Sequence, residues 1–256
     1  MSILHVMMIA VVVEAGFGPN EKDSGYAGPK NLFLVGGGAV ITQNPYKGID
    51  TEVHGIPIIL YKTERFSIFG PRMSYSLFED EGWEISSLAE VRLEGYDESD
   101  SHFLQGMDDR EWTLELGPSL SKTLAFGTLT ADFAADILNE HQGYEFRLSY
   151  SYDFSNILNI PALMLTPNIG VNYRSRQLND YYYGVRASEV IAGRPEYDVG
   201  DSVGLMVGAG IYYILSENMS LMGMISFEWL GDEIKNSPIV DEDYLEAFLL
   251  GMIYRF

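Results

Sequence analysis

Between Tyr144 and Phe154 every even position is apolar or aromatic and every odd position is polar or charged. Only a strand, whose side chains alternate between two faces, sorts such a sequence cleanly; a helix of 3.6 residues per turn would mix the classes. The alternation recurs. Trp112, Leu114, Leu116, Pro118 and Leu120 oppose Thr113, Glu115, Gly117 and Ser119. Leu129, Ala131, Phe133, Ala135 and Ile137 oppose Thr130, Asp132, Ala134 and Asp136, and Ile85, Ala89, Val91 and Leu93 oppose Glu84, Ser86, Glu90, Arg92 and Glu94. Weaker versions run through 165–174, 203–213, 221–229 and 244–256. With 31–41, 56–61, 69–77 and 181–188 the pattern predicts about twelve antiparallel strands of roughly ten residues, the length that crosses a bilayer when tilted. It predicts one all-β domain over 31–256 and no amphipathic helix.

Period two does not say which face is wet. A lipocalin-like barrel hides its apolar face inside, whereas an outer-membrane barrel turns that face to lipid. Three features favour the transmembrane β-barrel of outer-membrane type. Aromatic residues crowd the strand ends, as with Trp83, Trp112, Tyr144, Phe154, Trp229 and Tyr254, where amphipathic rings suit the two membrane interfaces. Charges on the other face lie within the strands: Arg72, Glu90, Arg92, Glu115, Asp132, Glu145, Arg147 and Arg174 would be costly in lipid but can pair in a lumen. Finally, the last strand ends on Tyr254-Arg255-Phe256, which looks like the terminal aromatic signal of outer-membrane barrels.

Residues 1–17 are almost wholly apolar, and Val13 and Ala15 flank Glu14 in a small-x-small arrangement suited to a signal peptidase. They read as an export signal, with His5 in place of the usual Lys or Arg. Residues 18–30, rich in Gly, Pro and charge, read as a flexible lead-in. If both chain ends face the periplasm, 43–53, 155–161, 189–201 and 231–243 become external loops, and 62–65, 139–143 and 215–219 tight turns. By that parity the long acidic stretch 96–110 falls on the periplasmic side.

Sixteen Lys and Arg against 37 Asp and Glu give a net charge of −21. Nucleic-acid phosphates would be repelled by such a chain. With no cysteine there is no disulfide or thiolate chemistry. The longest apolar run, 6–13, is too short for a spanning helix. His5, His54, His102 and His141 lack metal-ligand spacing and read as surface positions. Gly36-Gly37-Gly38 is followed by no Lys-Ser/Thr and reads as close strand packing. Ser149 and Ser151 have no His on their strand, so no catalytic residue, metal or cofactor is expected.

Six segments carry a family likeness: Asn44-Pro45-Tyr46-Lys47-Gly48, Gly106-Met107-Asp108-Asp109-Arg110, 147–152, 179–185, Ser237-Pro238-Ile239-Val240-Asp241 and the terminal Tyr-Arg-Phe. In this order, over about 31–256, the sequence resembles the MipA/OmpV family of Gram-negative outer-membrane proteins. The resemblance implies an outer-membrane barrel that scaffolds a lytic transglycosylase and a peptidoglycan synthase, and carries over no active site. Other members are linked to osmotic response and adhesion. From the residues, the inward charges form either a salt-bridged plug or the lining of a narrow small-solute channel. Exposed Tyr46, Lys47, Tyr181, Tyr182 and Tyr183 are candidate partner contacts. Lipid and lipopolysaccharide are the expected surroundings, with external acidic loops bridging through divalent cations to lipopolysaccharide phosphates.

Overall fold

The computed structural model of the chain describes residues 31–155, 160 and 162–256. The export segment and lead-in expected over 1–30 lie outside the described residues. The strands are β1 (Leu32–Thr42), β2 (Glu52–Lys62), β3 (Phe66–Phe69), β4 (Arg72–Asp80), β5 (Trp83–Arg92), β6 (Thr113–Leu124), β7 (Gly127–Asp136), β8 (Tyr144–Ser151), β9 (Phe154–Ser155), β10 (Leu163–Arg174), β11 (Ser202–Ile214), β12 (Met219–Trp229) and β13 (Tyr244–Arg255). β9 continues β8 along the same neighbour, β10, so the wall has 12 staves. All pairs are antiparallel; β13 lies on β1 from Leu34↔Arg255 to Thr42↔Ala247, and β10 on β11 from Leu163↔Tyr213 to Arg174↔Ser202, closing the sheet. Closure pairs the first strand with the last, the two that an open sheet would leave as its edges.

The predicted strands hold with two exceptions that offset each other in number. Residues 69–77 are not one strand: Gly70 and Pro71 form the turn between β3 and β4, with Gly70 at φ 53°. Residues 181–188 are not a strand either. They comprise the end of a helix, α1 (Arg176–Tyr183), and the start of a 3-10 turn at Ala187–Glu189. A second short helix, α2 (Asp232–Lys235), sits in the last long connection. The extra stave shifts strand parity, which moves 93–112 to the same end as 43–51, 175–201 and 230–243. The same shift places 137–143 at this loop end and the β9–β10 connection at the end holding the chain termini. The acidic turn at Glu79-Asp80-Glu81 also lies at the terminal end. Outer-membrane barrels keep short turns periplasmic, so the long-loop end is the external one.

Side chains sort as the alternation requires. Trp112, Tyr144, Trp229 and Tyr244 stand exposed near the loop end, and Phe33, Tyr61, Trp83, Phe154, Tyr254 and Phe256 near the other. The glycine triplet of β1 serves close approach to β13: a Cβ at Gly38 would meet the Leu250 carbonyl oxygen at 2.6 Å. Inside, Leu34, Val40, Ile58, Leu60, Phe69, Met222, Met224, Leu249 and Ile253 form an apolar cluster on one flank. The opposite flank carries charge.

Candidate functional site

The even-numbered lumen positions of β4, β5 and β10 and their counterparts on β6, β7 and β8 converge on a buried ion network. Arg72 pairs with Glu90 at 3.1 Å and Asp132 at 2.9 Å. Arg147 contacts Glu90 at 2.7 Å and Glu145 at 3.2 Å. Arg92 donates Nε and Nη2 to Glu115 at 2.9 and 3.0 Å and Nη2 to Glu145 at 2.5 Å. Arg174 reaches Glu145 at 3.3 Å, Glu94 at 3.4 Å and Glu228 at 3.0 Å. All eight charges read from the alternation therefore meet, with none of their side chains more than 6% exposed. In a low-dielectric interior such groups persist only when paired and hydrogen-bonded, which is what the interlocking forks supply.

Three members escaped the sequence reading. Glu228 follows Met222, Met224 and Ser226 on the inward face of β12, so its parity was available. Asn172 donates to Glu145 at 3.0 Å and to Glu228 at 2.7 Å. His141, read as a surface residue, is 3% exposed and places Nε2 3.0 Å from Glu115 Oε1 while its Nδ1 accepts from the Gly143 N–H. Nothing in the turn sequence signals that burial.

The long loops form a cap with its own apolar core. Tyr46, Tyr96, Leu104, Met107, Leu178, Tyr182, Tyr183, Val185, Leu230, Ile234 and Ile239 cluster there. This corrects the reading of the tyrosines as exposed contacts. Tyr46, Tyr182 and Tyr183 are buried, and Lys47 and Tyr181 half-buried, because α1 turns Tyr182 and Tyr183 onto the barrel mouth and Tyr46 packs against Tyr183 from the β1–β2 loop. Tyr46 rings lie 4.6 Å from Tyr96 and 5.8 Å from Tyr183. Burial raises the hydroxyl pKa of all three buried tyrosines, which stay neutral.

Polar bolts tie the loops together in a ring. Ser101 Oγ donates to the Lys47 carbonyl at 2.6 Å, joining the β5–β6 loop to the β1–β2 loop. Arg194 donates to the carbonyls of Phe103 (2.5 Å), Gln105 (3.1 Å) and Glu189 (2.7 Å), and Arg110 to Glu189 Oε1 at 2.9 Å and the Tyr181 carbonyl at 2.5 Å. Ser237 Oγ donates to the Tyr183 carbonyl at 2.6 Å, and the Lys47 N–H to Ile239 at 2.9 Å completes the circuit. Burial alone would raise the Glu189 carboxyl. The N–H groups of Arg186 and Asp108 and the Arg110 guanidinium outweigh it and hold the carboxyl below the usual glutamate range. Cap and lumen touch where Arg174 Nη1 approaches the Tyr183 hydroxyl at 3.5 Å.

Comparison with known proteins places this arrangement. Residues 35–256 match the family described as MltA-interacting protein MipA. The chain is 29% identical over 237 residues to MltA-interacting protein of Escherichia coli K12, covering 91% of this chain and 94% of that one. It is 29% identical over 225 residues to the putative outer membrane protein YiaT of the same strain, covering 87% and 90%. Outer membrane protein Omp26La of Vibrio anguillarum is 32% identical over 146 residues, 57% of this chain and 55% of the relative.

Proposed function

This chain belongs to the MltA-interacting protein MipA family of outer-membrane β-barrels, and on that premise we propose that it is a non-catalytic scaffold for enzymes of peptidoglycan synthesis and hydrolysis. The lytic transglycosylase follows the name of the relative from Escherichia coli, MltA-interacting protein; the peptidoglycan synthase rests on the family resemblance alone. The observation that carries the reading is the withdrawal of the inward charges from water beneath a packed cap. Ion pairs with buried side chains occupy one flank of the lumen, aliphatic side chains the other, and a bolted cap covers the mouth. A conducting pore needs polar groups in contact with water, whereas these are withdrawn from it. What such a barrel offers is rigid surface held in lipid and lipopolysaccharide.

The test is affinity capture of the tagged chain from detergent-solubilised envelopes. Co-purification of a lytic transglycosylase, lost when the barrel is unfolded beforehand, supports the scaffold. Its absence at stoichiometric bait, with the barrel folded, overturns it.

A further inference from the structure

Among the described residues, the longest stretch of strand without a neighbour on one side is in β2. β2 lies on β1 over its whole length, from Glu52 to Lys62, but on β3 only from Leu60↔Phe69 to Lys62↔Ser67. The Gly70 N–H still donates to the Ile59 carbonyl, which shows that odd-numbered residues of β2 turn their backbone groups away from β1. Beyond that bond the β3–β4 hairpin has ended. Among the described residues, the N–H groups of Val53 and Gly55 and the carbonyls of Val53, Gly55 and Pro57 have no hydrogen-bond partner. Pro57 occupies one of these positions, where a missing N–H costs no ladder bond.

The result is a window. Its sill is the Gly70-Pro71 turn, whose Pro71 carbonyl accepts from Val91 on β5. Its lintel is the contact of Tyr46 with Tyr96 and of Ser101 with Lys47, where the two loops meet above it. Hydrocarbon alone cannot cover an unpaired strand edge, because lipid tails do not replace the lost hydrogen bonds. Something with polar groups must therefore meet this edge. A second copy does not fit. Two barrels in one membrane share an orientation, so a two-fold axis along the membrane normal would set the two β2 strands running the same way with opposed tilts, and no ladder forms.

We infer that the window holds an outer-leaflet lipid, with amide or hydroxyl groups bonded to Val53 and Gly55 at the top of the β2 edge and the acyl chain laid along the remainder, where Pro57 has no N–H to satisfy. Continuity carries the choice: the outward side chains around the gap, Val53 at 67% exposure with Ile41, Ile59 and Met73, belong to the same apolar wall that faces lipid throughout. Length agrees. The edge runs roughly 20 Å along a strand tilted about 40°, or roughly 15 Å of depth, about half of a 30 Å hydrocarbon core. A Cβ at Gly55 would meet nothing within 4 Å, so no side chain covers the outer face of β2 at this position. His54 and Glu52, 3.2 Å apart and part-exposed, put a polar end at the top of the slot, and Ile56, half-buried against the lumen cluster, an apolar one below.

The test uses the full chain in phospholipid vesicles containing a minor fraction of phospholipid with a diazirine in its acyl chain, followed by irradiation and peptide mapping. Adducts are expected on Ile56, which faces inward behind the window, as well as on outward Val53. Met222 and Leu249, which face inward behind fully paired staves, stay unlabelled. Labelling confined to outward-facing residues overturns the inference and leaves the edge to water or a protein strand. In a second arm, lipid with amide-linked 3-hydroxyacyl chains should lower the Ile56 yield several-fold, and ester-linked lipid without hydroxyls should not. Equal competition by the two overturns the assignment of amide or hydroxyl groups to the edge.

Discussion

Replacing Arg92 with leucine removes the cation that holds three carboxylates together. Arg92 makes a two-pronged bond to Glu115 (2.9 and 3.0 Å), a bond to Glu145 (2.5 Å) and an ion pair with Glu94 (3.2 Å), and its side chain is 2% exposed. The network already counts six carboxylates, Glu90, Glu94, Glu115, Asp132, Glu145 and Glu228, against four arginines, so 4 − 6 leaves two charges in excess. Arg92→Leu makes it three. Hydrogen bonds to charged groups contribute about 1.5–3 kcal/mol each, but releasing a buried guanidinium returns several kcal/mol of desolvation. Breaking a buried pair on one side nets about 3–5 kcal/mol of destabilisation. For a urea slope of about 3 kcal/mol/M that lowers the midpoint by about 1–2 M. Tryptophan fluorescence in lipid vesicles reads the transition, and Arg92→Leu combined with Glu115→Gln should recover part of the loss, since the two share a bond. A midpoint within 0.3 M of the parent, about 1 kcal/mol at that slope, would refute the argument that these charges hold one another in place.

Glu189, held below the usual glutamate range, contributes stability that is complete above its unfolded value of about 4.3 and is lost as pH falls through the folded value. Hydrogen exchange in 186–194 should therefore quicken on acidification below about pH 4, and Glu189→Gln should exchange fast already at neutral pH; a flat profile for the parent would count against the bolt. Planar-bilayer recordings of the folded chain should show no conductance steps, and regular steps would shift the balance to a channel. A Cβ at Gly117 would fall on the Phe133 carbonyl, so Gly117→Val should prevent β6 from pairing with β7 and abolish heat-modifiable gel mobility; a folded variant would show that the strands can separate. Arg194→Ala should expose the β5–β6 loop to protease while leaving the barrel resistant, because Arg194 bonds two carbonyls there and touches no stave of the wall.

The lumen charges were legible because a strand forces alternation: once Glu145 and Arg147 are inward, their neighbours across the ladder, Asp132 beside Arg147 among them, are inward as well. Gly70-Pro71 was also legible as a turn and was absorbed into a strand, an error that misplaced the loop 93–112. The cap was not legible. Loops have no period, and Arg110, Arg194 and Glu189 are separated by up to 84 positions of chain, so neither their burial nor their meeting has a local signature. The tyrosines at 181–183 alternate with nothing, and only α1 decides that Tyr182 and Tyr183 point into the cap.

Local alternation, aromatic strand ends and the charge of the inward face were enough to determine a lipid-facing barrel, because each strand carries its own two-faced pattern irrespective of its neighbours. Tertiary structure alone decided how each arginine was shared among carboxylates, which loops lock over the mouth, and that β2 has no neighbour along its upper edge among the described residues. Those depend on register, tilt and closure of the whole cylinder, quantities that no single strand encodes.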